Sequence, residues 1–100
     1  MKVKELEGEA LDRAVGFAEG CDFAPVAYST KWEFGGPIIE REAISVVPCE
    51  SMEEWAADMQ FRQGVETQYG PTPLIAAMRC YCCAKLGDEV EIPEGLADLA

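Results

Sequence analysis

The segment from Thr72 to Leu86 constrains the fold more than any other part of the chain. Thr72 offers a capping hydroxyl, Pro73 suits the first helical position, where a missing N–H costs nothing, and Gly87 supplies a stop. Between them Leu74, Ile75, Ala77, Met78, Tyr81, Cys82 and Leu86 leave Arg79 and Lys85 as the charged positions. A helix that is apolar around most of its circumference has to be covered on several sides. The chain has 100 residues, which make a single domain, 1–100, and a domain this small buries a modest share of its surface. Self-association, most simply as a two-fold dimer, is therefore expected.

Other periodicities fill in the fold. Ala10, Leu11, Ala14, Val15 and Ala18 recur at helical spacing and predict a short amphipathic helix over 9–19, ending at Gly20. Phe23, Val26 and Tyr28 read as a brief strand within Cys21–Thr30, interrupted by Pro25. Gly35-Gly36-Pro37 reads as a turn that opens onto the best strand, Ile38 to Val47, whose alternation breaks around Arg41 to Ala43 through a bulge or a two-residue turn. Ser51 and Glu54 fit a capping box and predict a short helix carrying Trp55, Ala56 and Met59. Arg62 to Tyr69 reads as a loop or irregular edge strand, and the acidic tail from Asp88 as an edge strand with a final turn of helix. The expected fold class is α+β: a small antiparallel sheet containing 38–47, packed against the long helix at 72–86, with the short N-terminal helix beside it.

Eight Lys and Arg stand against nineteen Asp and Glu, a formal charge of −11. Direct DNA binding is not expected, because neutralising phosphates needs a basic stripe. The chain has no His, which removes His-activated nucleophiles and imidazole metal ligands, and no catalytic residues are assigned. A non-enzymatic protein is expected. The five cysteines are odd in number and irregularly spaced, and the N-terminus lacks the apolar core of a signal peptide. A cytoplasmic protein with reduced thiols is the expectation, and the longest apolar run, Pro73 to Met78, is far short of a membrane span.

Cys80 and Cys83 are helical neighbours at i and i+3, and Cys21 or Cys49 offers further thiolates for a metal. Against that, Cys82 and Cys83 point about 100° apart on a helix, and small buried helix residues account for the cluster better. The carboxylates at Glu5, Glu7 and Glu9, and at Glu50, Glu53, Glu54 and Asp58, lack an EF-hand pattern and read as solvated faces. No metal and no cofactor are assigned.

Two segments carry candidate binding chemistry. In Trp32-Glu33-Phe34-Gly35-Gly36-Pro37 the glycines allow backbone N–H groups to approach a ligand and the aromatics offer stacking faces. Tyr69-Gly70-Pro71-Thr72-Pro73 leads into the long helix, whose N-terminus favours an anion. The expected site is one pocket lined by Trp32, Gly35, Gly36, Arg41, Tyr69 and Thr72, with Trp32 or Tyr69 stacking on a planar group and Arg41 neutralising a phosphate. The alternative for the first segment is a glycine turn pinned by core aromatics.

Three blocks of this sequence resemble the NinX-type phage proteins. They are Glu5-Leu6-Glu7-Gly8-Glu9-Ala10-Leu11-Asp12 with Ala14-Val15 and Glu19-Gly20; Ser29-Thr30-Lys31-Trp32 followed by Gly35-Gly36-Pro37-Ile38-Ile39-Glu40-Arg41-Glu42; and Tyr69-Gly70-Pro71-Thr72-Pro73-Leu74-Ile75-Ala76-Ala77-Met78-Arg79 with Lys85-Leu86-Gly87-Asp88-Glu89-Val90. The family pattern calls for no thiols at Cys82-Cys83, and Cys49 to Gln68 matches loosely, at Trp55. The resemblance implies a small accessory phage protein of the host cytoplasm and supplies no biochemical activity.

Two functions follow as expectations. The first is capture of a small anionic host molecule, such as a nucleotide-derived immune signal, without catalysis, so that host defence is blunted. The second is an acidic protein-interaction inhibitor or regulator of a host protein, motivated by the charge of −11.

Overall fold

The computed structural model describes residues 2–20 and 26–90. A 3-10 turn, Val3–Glu5, precedes helix α1, Gly8–Ala18. Helix α2, Trp32–Glu42, leads into a hairpin of strands β1, Ile44–Cys49, and β2, Glu54–Met59, joined through a 3-10 turn at Glu50–Met52. The short strand β3, Gln68–Gly70, precedes helix α3, Pro73–Leu86. The fold is mixed α+β, with a three-stranded antiparallel sheet ordered β1-β2-β3.

α3 forms where its local signals place it. Thr72 Oγ1 accepts the Ile75 N–H at 3.1 Å, Pro73 opens the helix, and Gly87, with φ of 90°, donates its N–H to Cys83 O at 3.0 Å. Its residues from Ala76 to Cys83 are all buried. The inner face of the sheet covers one side, through Ile44, Val46, Trp55, Ala57 and Met59, while α1, α2 and the Val3–Glu5 turn pack on other sides. The helix circumference is thus covered within one chain. α1 meets it with Ala10, Leu11, Ala14 and Val15, the face its periodicity predicts.

Two expected elements are corrected. Residues 38–42 are not strand: the expected Gly35-Gly36-Pro37 turn lies inside α2, and the strand begins at Ile44. Gly35 and Ile38, three residues apart, form the buried side of this helix. Ala43 in the left-handed region, φ 54° and ψ 47°, ends it, so the break in alternation at Arg41 to Ala43 is a helix-to-strand junction. The capping box at Ser51 does not start a helix. Glu53 adopts a left-handed conformation that closes the hairpin loop, and residues 54–59 pair with β1 from Ile44↔Met59 to Cys49↔Glu54. With a period of two, Trp55, Ala57 and Met59 share the face turned to α3.

Arg62 to Tyr69 resolves into a loop ending in edge strand β3, which pairs with β2 from Trp55↔Gly70 to Ala57↔Gln68. Of the brief strand expected within Cys21–Thr30, residues 21–25 lie outside the described residues, and Val26 to Thr30 form turns. Lys2 bridges to Glu89, while the turn of helix expected at Leu96 and Leu99 lies outside the described residues. No described helix is long and apolar enough to cross a membrane.

Candidate functional site

The site starts from a buried carboxylate. Asp12 of α1, 9% exposed, accepts the Ser29 N–H at 2.8 Å through Oδ1 and so fixes the turn from which α2 departs. α2 then begins at Trp32 and α3 at Pro73, and their first turns face each other across a cleft of about 260 Å³. Ser29, Thr30 and Trp32 form one wall, and Thr72 to Ile75 the other. Trp32 is 55% exposed.

Close approach of the two helices depends on Gly35. A methyl group there would lie 2.6 Å from Leu74 Cδ2 and closer still to the Tyr28 carbonyl oxygen. A β-carbon at Gly36 would only touch Trp32, at 3.7 Å, and its absence eases the contact that proline imposes on the residue before it, here ahead of Pro37 inside the helix.

The donors in the cleft follow from how each helix starts. Thr72 caps α3, but Lys31 precedes α2 in an extended conformation with no side-chain cap. Phe34 and Gly35 donate to the Lys31 carbonyl, both at 3.0 Å, leaving the Trp32 and Glu33 N–H groups without an acceptor inside the helix. Ser29 is 2% exposed and its hydroxyl oxygen has no partner among the described residues. The cleft therefore combines an aromatic face, hydroxyls and uncapped N–H donors at a positive helix end, with Glu33 in the same first turn answering part of that charge.

Of the six expected site residues, Trp32 and Thr72 line this cleft. Gly35 and Gly36 lie one turn further along α2 and shape the helix contact instead of forming an anion-binding turn. Arg41 is at the far end of α2, about 13 Å along the axis at 1.5 Å per residue. Its guanidinium is engaged by Glu19, at 2.6 and 3.1 Å, and by Glu42, at 2.9 Å. Tyr69 lies on β3 and borders a different cavity, next to Arg79. One shared pocket is thus corrected to a cleft holding two of the six, because the supposed turn is a helix that carries residues 32 and 41 to opposite ends. Ser29, Thr30, Pro73, Leu74 and Ile75 also line the cleft, and each lies within three residues of Trp32 or Thr72, so proximity along the chain was the signal that could have found them.

The cysteine cluster is buried along α3. Burial, reinforced by neighbouring Cys83 and Asp58, pushes the Cys80 thiol up to about 12, and burial pushes Cys82 up as well. Among the described residues no three Cys, Asp or Glu side chains converge as a metal site.

This is a small α+β domain whose second and third helices frame a ligand-sized cleft with their N-termini. Its residues 22–85 match the family model described as bacteriophage P22, NinX, and the chain belongs to the NinX family. Both walls of the cleft fall inside the matched span, and α1 falls outside it. No curated protein matches the chain significantly.

Proposed function

We propose that this phage protein binds and sequesters a small, planar, anionic host molecule in the cleft between α2 and α3, acting in the host cytoplasm without turning the ligand over. The observation that carries this reading is Trp32, held half-exposed on the wall of a 260 Å³ cleft beside uncapped N–H donors. A nucleotide-derived immune signal has the matching chemistry. Its base would stack on Trp32, and its phosphate would accept from the α2 N-terminus and from the Ser29 and Thr30 hydroxyls. Binding alone would then blunt host defence.

Calorimetric titration with linear, cyclic and ADP-ribose-derived nucleotides tests the proposal. Saturable binding to at least one of them, weakened about tenfold or more in Trp32→Ala, is the expected outcome, stacking contributing roughly 1–3 kcal/mol per base. Absence of heat with all three classes removes the reading.

The open face of the sheet favours a second reading, an acidic regulator of a basic host protein. Val47, Ala56 and Tyr69 sit opposite one another across the three strands, with Val47 and Tyr69 exposed, and Glu54 and Asp58 flank this row on the same face. A basic partner whose binding weakens steeply with salt and is lost in Val47→Asp would support the regulator over the nucleotide sponge.

A further inference from the structure

A second cavity, of about 330 Å³, opens where β3 meets the N-terminal segment, and it shares no lining residue with the α2–α3 cleft. Four charged side chains line it, Lys4, Arg79, Glu54 and Glu66, and none of the four forms an ion pair among the described residues. For Arg79 this is unusual, since it is 8% exposed and buried charges are ordinarily paired. Its Nε donates to Leu6 O at 2.8 Å and its Nη1 to Tyr69 O at 2.7 Å. Both acceptors are neutral carbonyls, and the carboxylates that act on the charge, Glu7 and Glu54, lie beyond ion-pair distance. Arg13 and Arg41, by contrast, reach carboxylates at 2.8 and 2.6 Å. Gln68, also 8% exposed, lines the same cavity.

The guanidinium fork suits a carboxylate or a phosphate equally. Glu54 and Glu66 decide between them, because a phosphate dianion would meet two like charges, whereas a ligand bringing its own ammonium group would answer them. Met52 and Tyr69 add apolar surface to the wall. We propose that this cavity binds a free α-amino acid, its carboxylate held by Arg79 with Lys4 and its ammonium by Glu54 and Glu66.

Calorimetric titration of the full chain with the standard L-amino acids, acetate, methylamine and inorganic phosphate tests it. At least one amino acid should bind saturably, with acetate, methylamine and phosphate each at least about tenfold weaker, since each loses a charge-assisted contact or adds a repulsion. Arg79 is left intact because it also ties β3 to the N-terminal segment. Glu66→Gln and Lys4→Gln, both at exposed positions, should each lower amino-acid affinity about tenfold with an unchanged circular-dichroism spectrum. No amino-acid binding, phosphate or acetate binding as tightly as the amino acid, or unchanged affinity in both variants would overturn the proposal.

Discussion

Arg41 and Glu19 meet through two parallel hydrogen bonds, Nη1 to Oε1 at 3.1 Å and Nη2 to Oε2 at 2.6 Å. Tyr81 of α3, 1% exposed, donates its hydroxyl to the same carboxylate and accepts from Arg41 Nη2 at 3.1 Å, while the guanidinium carbon lies 5.6 Å from the tyrosine ring centre. Residues from the ends of α1 and α2 are thereby fastened to one side chain of α3.

Arg41→Ala should therefore weaken the fold and leave the cleft alone. The Arg41 side chain is half exposed, which limits the loss to about 1 kcal/mol. That corresponds to a thermal midpoint lower by roughly 4–8 °C in a domain of this size. Scanning calorimetry reads the shift. Loss of nucleotide binding in a folded Arg41→Ala protein would return Arg41 to the site.

The same network sets an acid limit. The hydrogen bond from Arg41 holds the Glu19 carboxyl below the usual carboxylate range, against the opposing effect of burial and with help from Tyr81. A carboxyl depressed in the folded state adds stability above its unfolded pKa, and that increment vanishes as pH falls through the lower folded value. Urea midpoints of the parent and Glu19→Gln should differ most at neutral pH and converge at acid pH. A gap that stays constant on acidification contradicts this.

Gly35→Ala should cost stability even though alanine is the better helix former by about 1 kcal/mol. Its methyl group would collide with Leu74 and with the Tyr28 carbonyl, and overpacking of this kind costs about 1–3 kcal/mol. A lower urea midpoint is expected, together with altered amide shifts at Tyr28 and Leu74. A stabilised variant would show that α2 and α3 stand further apart.

Trp32 and Trp55 are the two tryptophans. Trp55 packs against the core, so Trp55→Phe isolates the exposed indole of Trp32. Emission of that variant should be red-shifted, as for a ring in water, and should change on addition of any nucleotide that binds. Blue-shifted emission in the unliganded variant would mean that the ring is covered.

Cys80, Cys82 and Cys83 should resist alkylation of the folded protein, because burial both hides them and raises their thiol pKa values. Of the described cysteines Cys49, only partly buried, should react first. Peptide mass spectrometry after brief iodoacetamide treatment at mildly alkaline pH gives the order. Modification of Cys82 ahead of Cys49 would contradict the burial of α3.

Elements specified by neighbouring residues were legible. The Thr72 cap, Pro73 and the Gly87 stop lie within a turn of the helix they define, and α1 carries its own apolar face. α2 was not legible, because Gly-Gly-Pro breaks helices locally, whereas here Gly35 lets the helix approach Leu74, far along the chain, and Tyr28, across a turn. β2 was hidden for a similar reason. Ser51 and Glu54 compose a helix start, but pairing with β1 and the inward alternation of Trp55, Ala57 and Met59 override it. The cleft was half legible: Trp32 and Thr72 open the two binding segments, whereas placing Arg41 requires knowing that residues 32–42 are helical, and placing Tyr69 that residues 68–70 form an edge strand.

α3 is the last described helix, yet the sheet, α1 and α2 all lean on it. A growing chain on the ribosome consequently has nothing to close around until Leu86 has left the exit tunnel. Up to that point the apolar faces of α1 and of the β1–β2 hairpin are open to chaperones and proteases, and the domain closes only once this helix is available. A message cut short before this helix would yield a product for degradation, without a partly folded intermediate to persist.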